Sequence, residues 1–146
     1  MIEYRAANLD DVRWLRHVVL RPHQRPEELA VDGADEPDAL HLGAFEDGAL
    51  VGIASIARDA PPGSDDPDAW RVRGMAVLSE HRGRGIGGEL LERCIEHAAA
   101  RGATLVWCNG RVPAQRFYED HGFAVVRGPW EMADIGPHVE LRRALG

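Results

Sequence analysis

Residues 81–91, His-Arg-Gly-Arg-Gly-Ile-Gly-Gly-Glu-Leu-Leu, set four glycines and two arginines at the mouth of a helical pattern. A glycine-rich turn at that place exposes several backbone N–H groups and the positive end of a helix dipole. It is a ready site for a pyrophosphate or a similar anion. Glycine lets such a ligand approach the backbone closely. Arg82 and Arg84 add charge that a phosphate can use. Arg71 and Arg73 lie just upstream, so a positive island stands in an acidic chain. Such an island focuses an anionic ligand, or else it is a solvated strand edge.

Gly83, Gly85 and Gly88 also satisfy G-x-G-x-x-G, the dinucleotide fingerprint. Three features speak against that reading. The first glycine of the fingerprint follows its strand directly, whereas Ser79, Glu80, His81 and Arg82 intervene here. Cys108 and Asn109 stand where an acid is expected, about 20 residues on. The chain also has only one strong crossover unit, too little for a doubly wound sheet.

The elements that must position this loop can be read from the periodicity. Residues 2–6 predict a strand. Asn8 or Asp10 can cap a helix carrying Leu9, Val12, Leu15, Val18 and Val19. Residues 21–38 are rich in proline, acid and glycine and predict a loop with one helical turn over 26–30. Residues 39–59 predict a hairpin turning at Glu46, Asp47 and Gly48. A polar loop over 60–69 leads to a strand over 70–78. The following helix places Ile86, Leu90, Leu91, Cys94, Ile95 and Ala98 on one face and stops at Gly102. Residues 103–109 predict a buried strand, 113–122 a helix opened by proline and closed by glycine, and 123–126 and 138–145 two strands. The strand-helix-strand over 70–109 predicts a right-handed parallel crossover. The expected class is therefore α/β (α+β): a mixed, mostly antiparallel sheet with one parallel β-α-β crossover and helices on both faces.

The 146 residues suit one domain over 1–146 with one core. No apolar run reaches the ~18 residues that would span a membrane, and the start shows no signal-peptide pattern. Cys94 and Cys108 have no metal or disulfide spacing and read as buried free thiols, so the expected location is cytoplasmic. The net charge of -7 argues against nucleic acid as a partner. All 17 basic residues are arginine, which excludes Schiff-base and P-loop lysine chemistry. The seven histidines are scattered without ligand spacing, so no metal is expected.

The run Arg82-Gly83-Arg84-Gly85-Ile86-Gly87 fits R/Q-x-x-G-x-G/A, and Asn109 with residues 114–123 (Ala-Gln-Arg-Phe-Tyr-Glu-Asp-His-Gly-Phe) fits N…A..FYE..GF. In this the chain resembles the GCN5-related N-acetyltransferase (GNAT) family, as a small bacterial member. The two motifs cover 70–126 in the usual order, and the element order fits nearly the whole chain.

The resemblance implies a GNAT-like acyl-CoA acyltransferase fold with acetyl-CoA as cosubstrate and no metal. It implies that the backbone amides of Arg82, Gly83, Arg84, Gly85, Ile86 and Gly87 hold the pyrophosphate. The main chain of Met75, Ala76 and Val77 would pair with the pantetheine arm in a splay between two strands, and the Val77 N–H would polarise the thioester carbonyl. Ala114, Phe117 and Tyr118 would line the cofactor, Asn109 would hydrogen-bond the pantetheine, and Tyr118 would act as the general acid. From the residues alone, Phe117 is the member of the aromatic pair read as core.

The family's glutamate on the strand before the loop is absent; Arg71 and Arg73 stand there. His138 is then one candidate base, with His41 and Cys108 weaker ones and a water chain as an equal alternative. Arg73 can instead bind an acidic group of the acceptor. The implied reaction is direct transfer of an acetyl group to a primary amine of a small molecule or peptide. Glu27, Glu28, Asp32, Asp35, Glu36 and Asp38 would attract a cationic amine, or form a solvated face. The alternative is a non-catalytic acyl-CoA-binding sensor or partner module. No membrane partner is expected, and an edge strand or Trp130 offers a homodimer contact that nothing in the sequence decides.

Overall fold

The computed structural model describes residues 1–25, 27, 29 and 36–146. Strand β1 (Ile2–Ala6) leads to helix α1 (Leu9–Val19), strands β2 (Leu40–Glu46), β3 (Ala49–Arg58) and β4 (Ala69–Val77), and a short 3-10 helix, Ser79–His81. Helix α2 (Ile86–Ala99), strand β5 (Leu105–Arg111) and a second 3-10 helix, Val112–Ala114, follow. Helix α3 (Gln115–Asp120) and strands β6 (Ala124–Met132) and β7 (Gly136–Ala144) complete the order.

Local chemistry sets these limits. Of the two expected caps, Asn8 closes α1, its side chain accepting from the Asp11 N–H at 2.8 Å. Asp10 and Asp11 in the first turn and Arg16 and His17 in the last oppose the helix dipole. Asp47 (φ 52°) and Gly48 (φ 85°) form the turn between β2 and β3, both left-handed as a tight hairpin requires. The helical turn expected over 26–30 rests on residues 26, 28 and 30, which with Glu28, Asp32 and Asp35 lie outside the described residues.

The seven strands form one sheet in the order β1-β2-β3-β4-β5-β7-β6. Every neighbouring pair is antiparallel except β4 and β5. Helix α1 packs on one face, its Val12 and Leu15 against Ile53 and Ala76. Helix α2 covers the other, where Ile86, Leu90, Leu91, Cys94, Ile95 and Ala98 meet Trp70, Val106, Cys108 and Leu141. Each large side chain buried in this way contributes about 1.5–3 kcal/mol. Among the described residues, no helix is long and apolar enough to cross a membrane.

Two irregularities shape the centre. In β4, Gly74 and Met75 together oppose Ala54, because Ser55 pairs with Arg73 and Ile53 with Ala76. Gly74 takes φ 64° in this bulge, and a Cβ there would lie 2.3 Å from Arg16 Nε, so a side chain would be strained and would displace the Arg16 guanidinium. The parallel pairing of β4 and β5 lasts only from Ala69↔Leu105 to Arg71↔Trp107. Beyond these three pairs the strands separate.

Some boundaries differ from the sequence reading. Strand β5 runs two residues further, to Arg111. Strand β6 is nine residues long rather than four. Gly128-Pro129 masked its second half, yet the ladder skips that dipeptide between Arg127 and Trp130 and β6 is an edge strand, where proline is tolerated. The helix expected over 113–122 is a 3-10 turn followed by six α-helical residues.

Candidate active site

Where β4 and β5 part, a groove of about 660 Å³ opens. Met75, Ala76 and Val77 of β4 form one wall, and Arg111, Pro113, Ala114 and Phe117 form the other. Arg82, Gly83, Gly85, Ile86 and Gly87 form its end at the start of α2. The Leu78 N–H bonds back to the Val51 carbonyl of β3 at 2.9 Å. Backbone groups alternate sides along a strand, so the Val77 N–H points the other way, into the split. The Val77 carbonyl points there too and accepts from Arg82 Nε at 3.2 Å.

The loop itself needs glycine for its backbone rather than for space. Gly83 (φ 79°) and Gly85 (φ 80°) are left-handed, and a Cβ on either would meet nothing within 4 Å. Gly85 caps α2 without a side-chain acceptor. The first backbone bond of the helix is Glu89 N–H to the Gly85 carbonyl, 3.1 Å, and no other turn or cap bond takes up the N–H groups of residues 83–88. These N–H groups are without backbone partners, and all of these residues but Arg84 line the groove's end.

Arg84 departs from the expectation. Its guanidinium is turned away from the groove and forms a two-point ion pair with Glu46, at 3.1 and 2.5 Å. That contact holds the Glu46 carboxyl below its ordinary pKa. Only the backbone of Arg84 is left to meet a ligand in the loop.

The aromatic pair is also reversed. Phe117, expected in the core, lines the groove, with its ring 3.6 Å from where a Gly87 Cβ would stand. Tyr118 is the core member, 6% exposed, packed edge-on to Phe117 and Phe123 and over Gly110. Its phenol makes no hydrogen bond within the protein. Burial pushes the phenol pKa well up, with the neighbouring Cys108 adding to the rise, so it keeps its proton at neutral pH. Burial also pushes the Cys108 thiol up to about 12. A thiol held protonated is no nucleophile.

Asn109 and His138 are not in the groove. They line a second cavity, of about 230 Å³, on the α1 face with Arg16, Arg21, Arg71, Arg73 and Met132. Asn109 misses the groove because β5 does not end there; the strand continues two residues, and Arg111 occupies the groove wall instead. The Asn109 Oδ1 is buried without a hydrogen-bond partner. His138 is buried, and its Nδ1 lies 3.0 Å from the Gly136 carbonyl. A carbonyl can only accept, so Nδ1 is the donor in that contact. Arg73 is tied to Asp59 at 2.8 Å. The two cavities meet at Leu20, which lines both.

The acids singled out in the sequence are placed differently. Glu27 pairs with Arg25, and Glu36 and Asp38 pair with Arg58. Arg21 and Arg111 went unnoticed in the sequence reading. The only signal available was that Arg111 directly precedes the 3-10 turn carrying Pro113.

The model of the acetyltransferase (GNAT) family matches residues 6–123. The chain belongs to that family. Among curated GNAT relatives, the uncharacterized N-acetyltransferase YitI of Bacillus subtilis (strain 168) is 32% identical over 145 residues, 99% of this chain and 97% of YitI. Among solved structures, Escherichia coli ElaA superposes with a TM-score of 0.79 at 21% identity, over 98% of this chain and 99% of ElaA. An aminoglycoside 6'-N-acetyltransferase complexed with coenzyme A superposes with a TM-score of 0.70 at 17% identity, over 99% of this chain and 96% of that one. These likenesses confirm the expected GNAT fold, with its split sheet and single parallel crossover. The chain is accordingly an acyltransferase by family.

Proposed function

We propose that this GNAT protein transfers an acetyl group from acetyl-CoA directly to a primary amine. The observation that carries the reading is the continuity of the unpaired glycine-loop donors with the split between β4 and β5. The loop suits a pyrophosphate. The open backbone edge of Met75 to Val77 suits an amide-bearing arm laid along it as a further strand. The Val77 N–H, turned into the split, is the donor this reading assigns to the thioester oxygen as it gathers charge during attack. A neighbour of the same fold, bound to coenzyme A, supports the choice of cofactor.

This reading assigns the acid to Tyr118 and the base to His138. Tyr118, on α3 and outside the residues that line the groove, keeps a protonated phenol, suited to a departing thiolate. His138 lines the smaller cavity on the α1 face and is the ring this reading assigns to receive the proton of the incoming amine. The amine attacks the thioester carbon, its proton passes to His138 directly or through water, and coenzyme A leaves as the thiol. The buried, protonated Cys108 offers no covalent alternative.

Thermal unfolding with acetyl-CoA, free CoA and NADH tests the cofactor. Acetyl-CoA at about a hundred times its Kd stabilises the protein by about 2.7 kcal/mol, CoA acts similarly and NADH has no effect. No shift with either CoA species overturns the assignment. Release of free thiol in the presence of an amine then reads the transfer. In that assay His138→Gln is expected to lower kcat, with the acetyl-CoA shift intact. An unchanged kcat removes His138 from the mechanism and leaves the water route.

A further inference from the structure

The junction between the two cavities carries an unusual arrangement of charge. The carbonyl of Leu20 accepts from two guanidinium groups, Arg21 Nη1 at 3.0 Å and Arg111 Nη2 at 2.6 Å. Among the described residues neither arginine has a carboxylate partner, in contrast to Arg73, Arg84 and Arg142, which bind Asp59, Glu46 and Glu140. Each guanidinium has five N–H donors, and each uses one on this shared neutral acceptor. Burial and the charge of Arg111 draw the Arg21 pKa below its ordinary value, and burial does the same for Arg111. Two half-buried like charges are unfavourable together unless an anion lies between them.

The described surroundings supply no such anion. Among the described residues lining the smaller cavity there is no aspartate or glutamate. The nearby acids are committed: Asp59 to Arg71 and Arg73, and the buried Glu140 to Arg127 and Arg142. The smaller cavity, lined by Arg21 with Arg16, Arg71 and Arg73, also holds groups of a different kind, the unpartnered Oδ1 of Asn109 and the ring of His138. Both accept hydrogen bonds, and both suit an amine.

We infer that the acceptor is an amine that also carries an oxyanion, a carboxylate or a phosphate. Arg21 and Arg111 grip the oxyanion at the junction while Asn109 and His138 receive the amine. A planar guanidinium pair is well matched to such an oxyanion. The inference rests on the proposed acetyl transfer and narrows its acceptor, away from the purely cationic amines that the acid-rich segment suggested.

The test uses protein saturated with CoA, so that phosphate cannot occupy the cofactor loop. Succinate, inorganic phosphate and putrescine are added at matched ionic strength, with chloride as the control, and the thermal midpoint is read. At least one oxyanion is expected to raise the midpoint, and putrescine is not. Succinate alone points to a carboxylate acceptor, and phosphate alone to a phosphorylated one. Arg21→Gln is expected to weaken the oxyanion on the order of tenfold to a hundredfold. Arg21→Lys restores part of it, because the charge returns without the planar fork. The CoA-induced shift of each variant reports that its fold and cofactor site are intact. An oxyanion effect no larger than that of chloride overturns the inference. So does one matched by putrescine, or one that survives in Arg21→Gln. CoA saturation is established first by its own shift. A protein that fails that step fails the acetyl-transfer reading and this inference with it, whereas one that binds CoA and ignores oxyanions fails only here.

Discussion

Replacing Tyr118 by phenylalanine is expected to lower kcat by about two to four orders of magnitude, the usual worth of a positioned proton donor, and to leave acetyl-CoA affinity near its starting value. The substitution is a clean one at this site. The ring, packed against Phe117, Phe123 and Gly110, stays in place, and only the hydroxyl leaves. That hydroxyl has no protein partner to strand. Midpoints of thermal unfolding should therefore agree closely between the two proteins, with and without acetyl-CoA. Single-turnover thiol release separates the chemical step from product loss. Full activity in the variant would mean that the thiolate departs unassisted or takes its proton from water, and Tyr118 would become a packing residue.

The second large effect is expected at Gly85. At φ 80° a Cβ costs about 1–2 kcal/mol of backbone strain, even though open space surrounds it. Gly85→Ala should thus lose a few degrees of thermal midpoint on its own account. Its effect on acetyl-CoA should be far larger. The strain is expected to turn the first N–H groups of α2 out of line. Loss of two charge-assisted bonds weakens binding by about a hundredfold or more. Calorimetric titration of acetyl-CoA into the variant reads this directly. A lowered midpoint with unchanged affinity would identify the loop as a turn that serves the fold alone.

The elements legible in the sequence were those whose periodicity is uninterrupted. Helix α2 was read with its buried face complete, because six apolar residues recur at helical spacing between the glycine loop and Gly102. The hairpin of β2 and β3 was read from its turn residues. Strand β6 was cut short because a Gly-Pro pair ends most strands, and only its place at the sheet edge permits it to continue. Within the site, the loop and the wall of Met75 to Val77 were legible, since a contiguous motif carries them.

What went astray depended on which way a side chain faces. Asn109 and Arg111 lie on the same face of β5, and the point at which the strand ends, not the motif, decides which one reaches the groove. Phe117 and Tyr118 are neighbours in sequence, and a shift of one residue in helix phase exchanges core and groove. Arg84 looked like a phosphate ligand until β2 brought Glu46 beside it. Arg21 and Arg111 are far apart in the chain and share Leu20 only after the α1 helix has packed on the sheet, so no local pattern could join them.

The brevity of the β4–β5 pairing has a consequence for how the ligand-free protein moves. The centre of a sheet ordinarily holds its slowest-exchanging amides, shielded by a partner on each side. Here the sheet is two leaves, β1 to β4 and β5 to β7, stitched at one end by three residue pairs. Past Arg71 and Trp107 the facing backbones behave as two edges, although they lie mid-sheet. Their amides are expected to trade hydrogen with solvent faster than the rest of the sheet centre, although α2 packs across both leaves. A molecule seated in the split would act as an eighth, removable strand and is expected to slow that exchange.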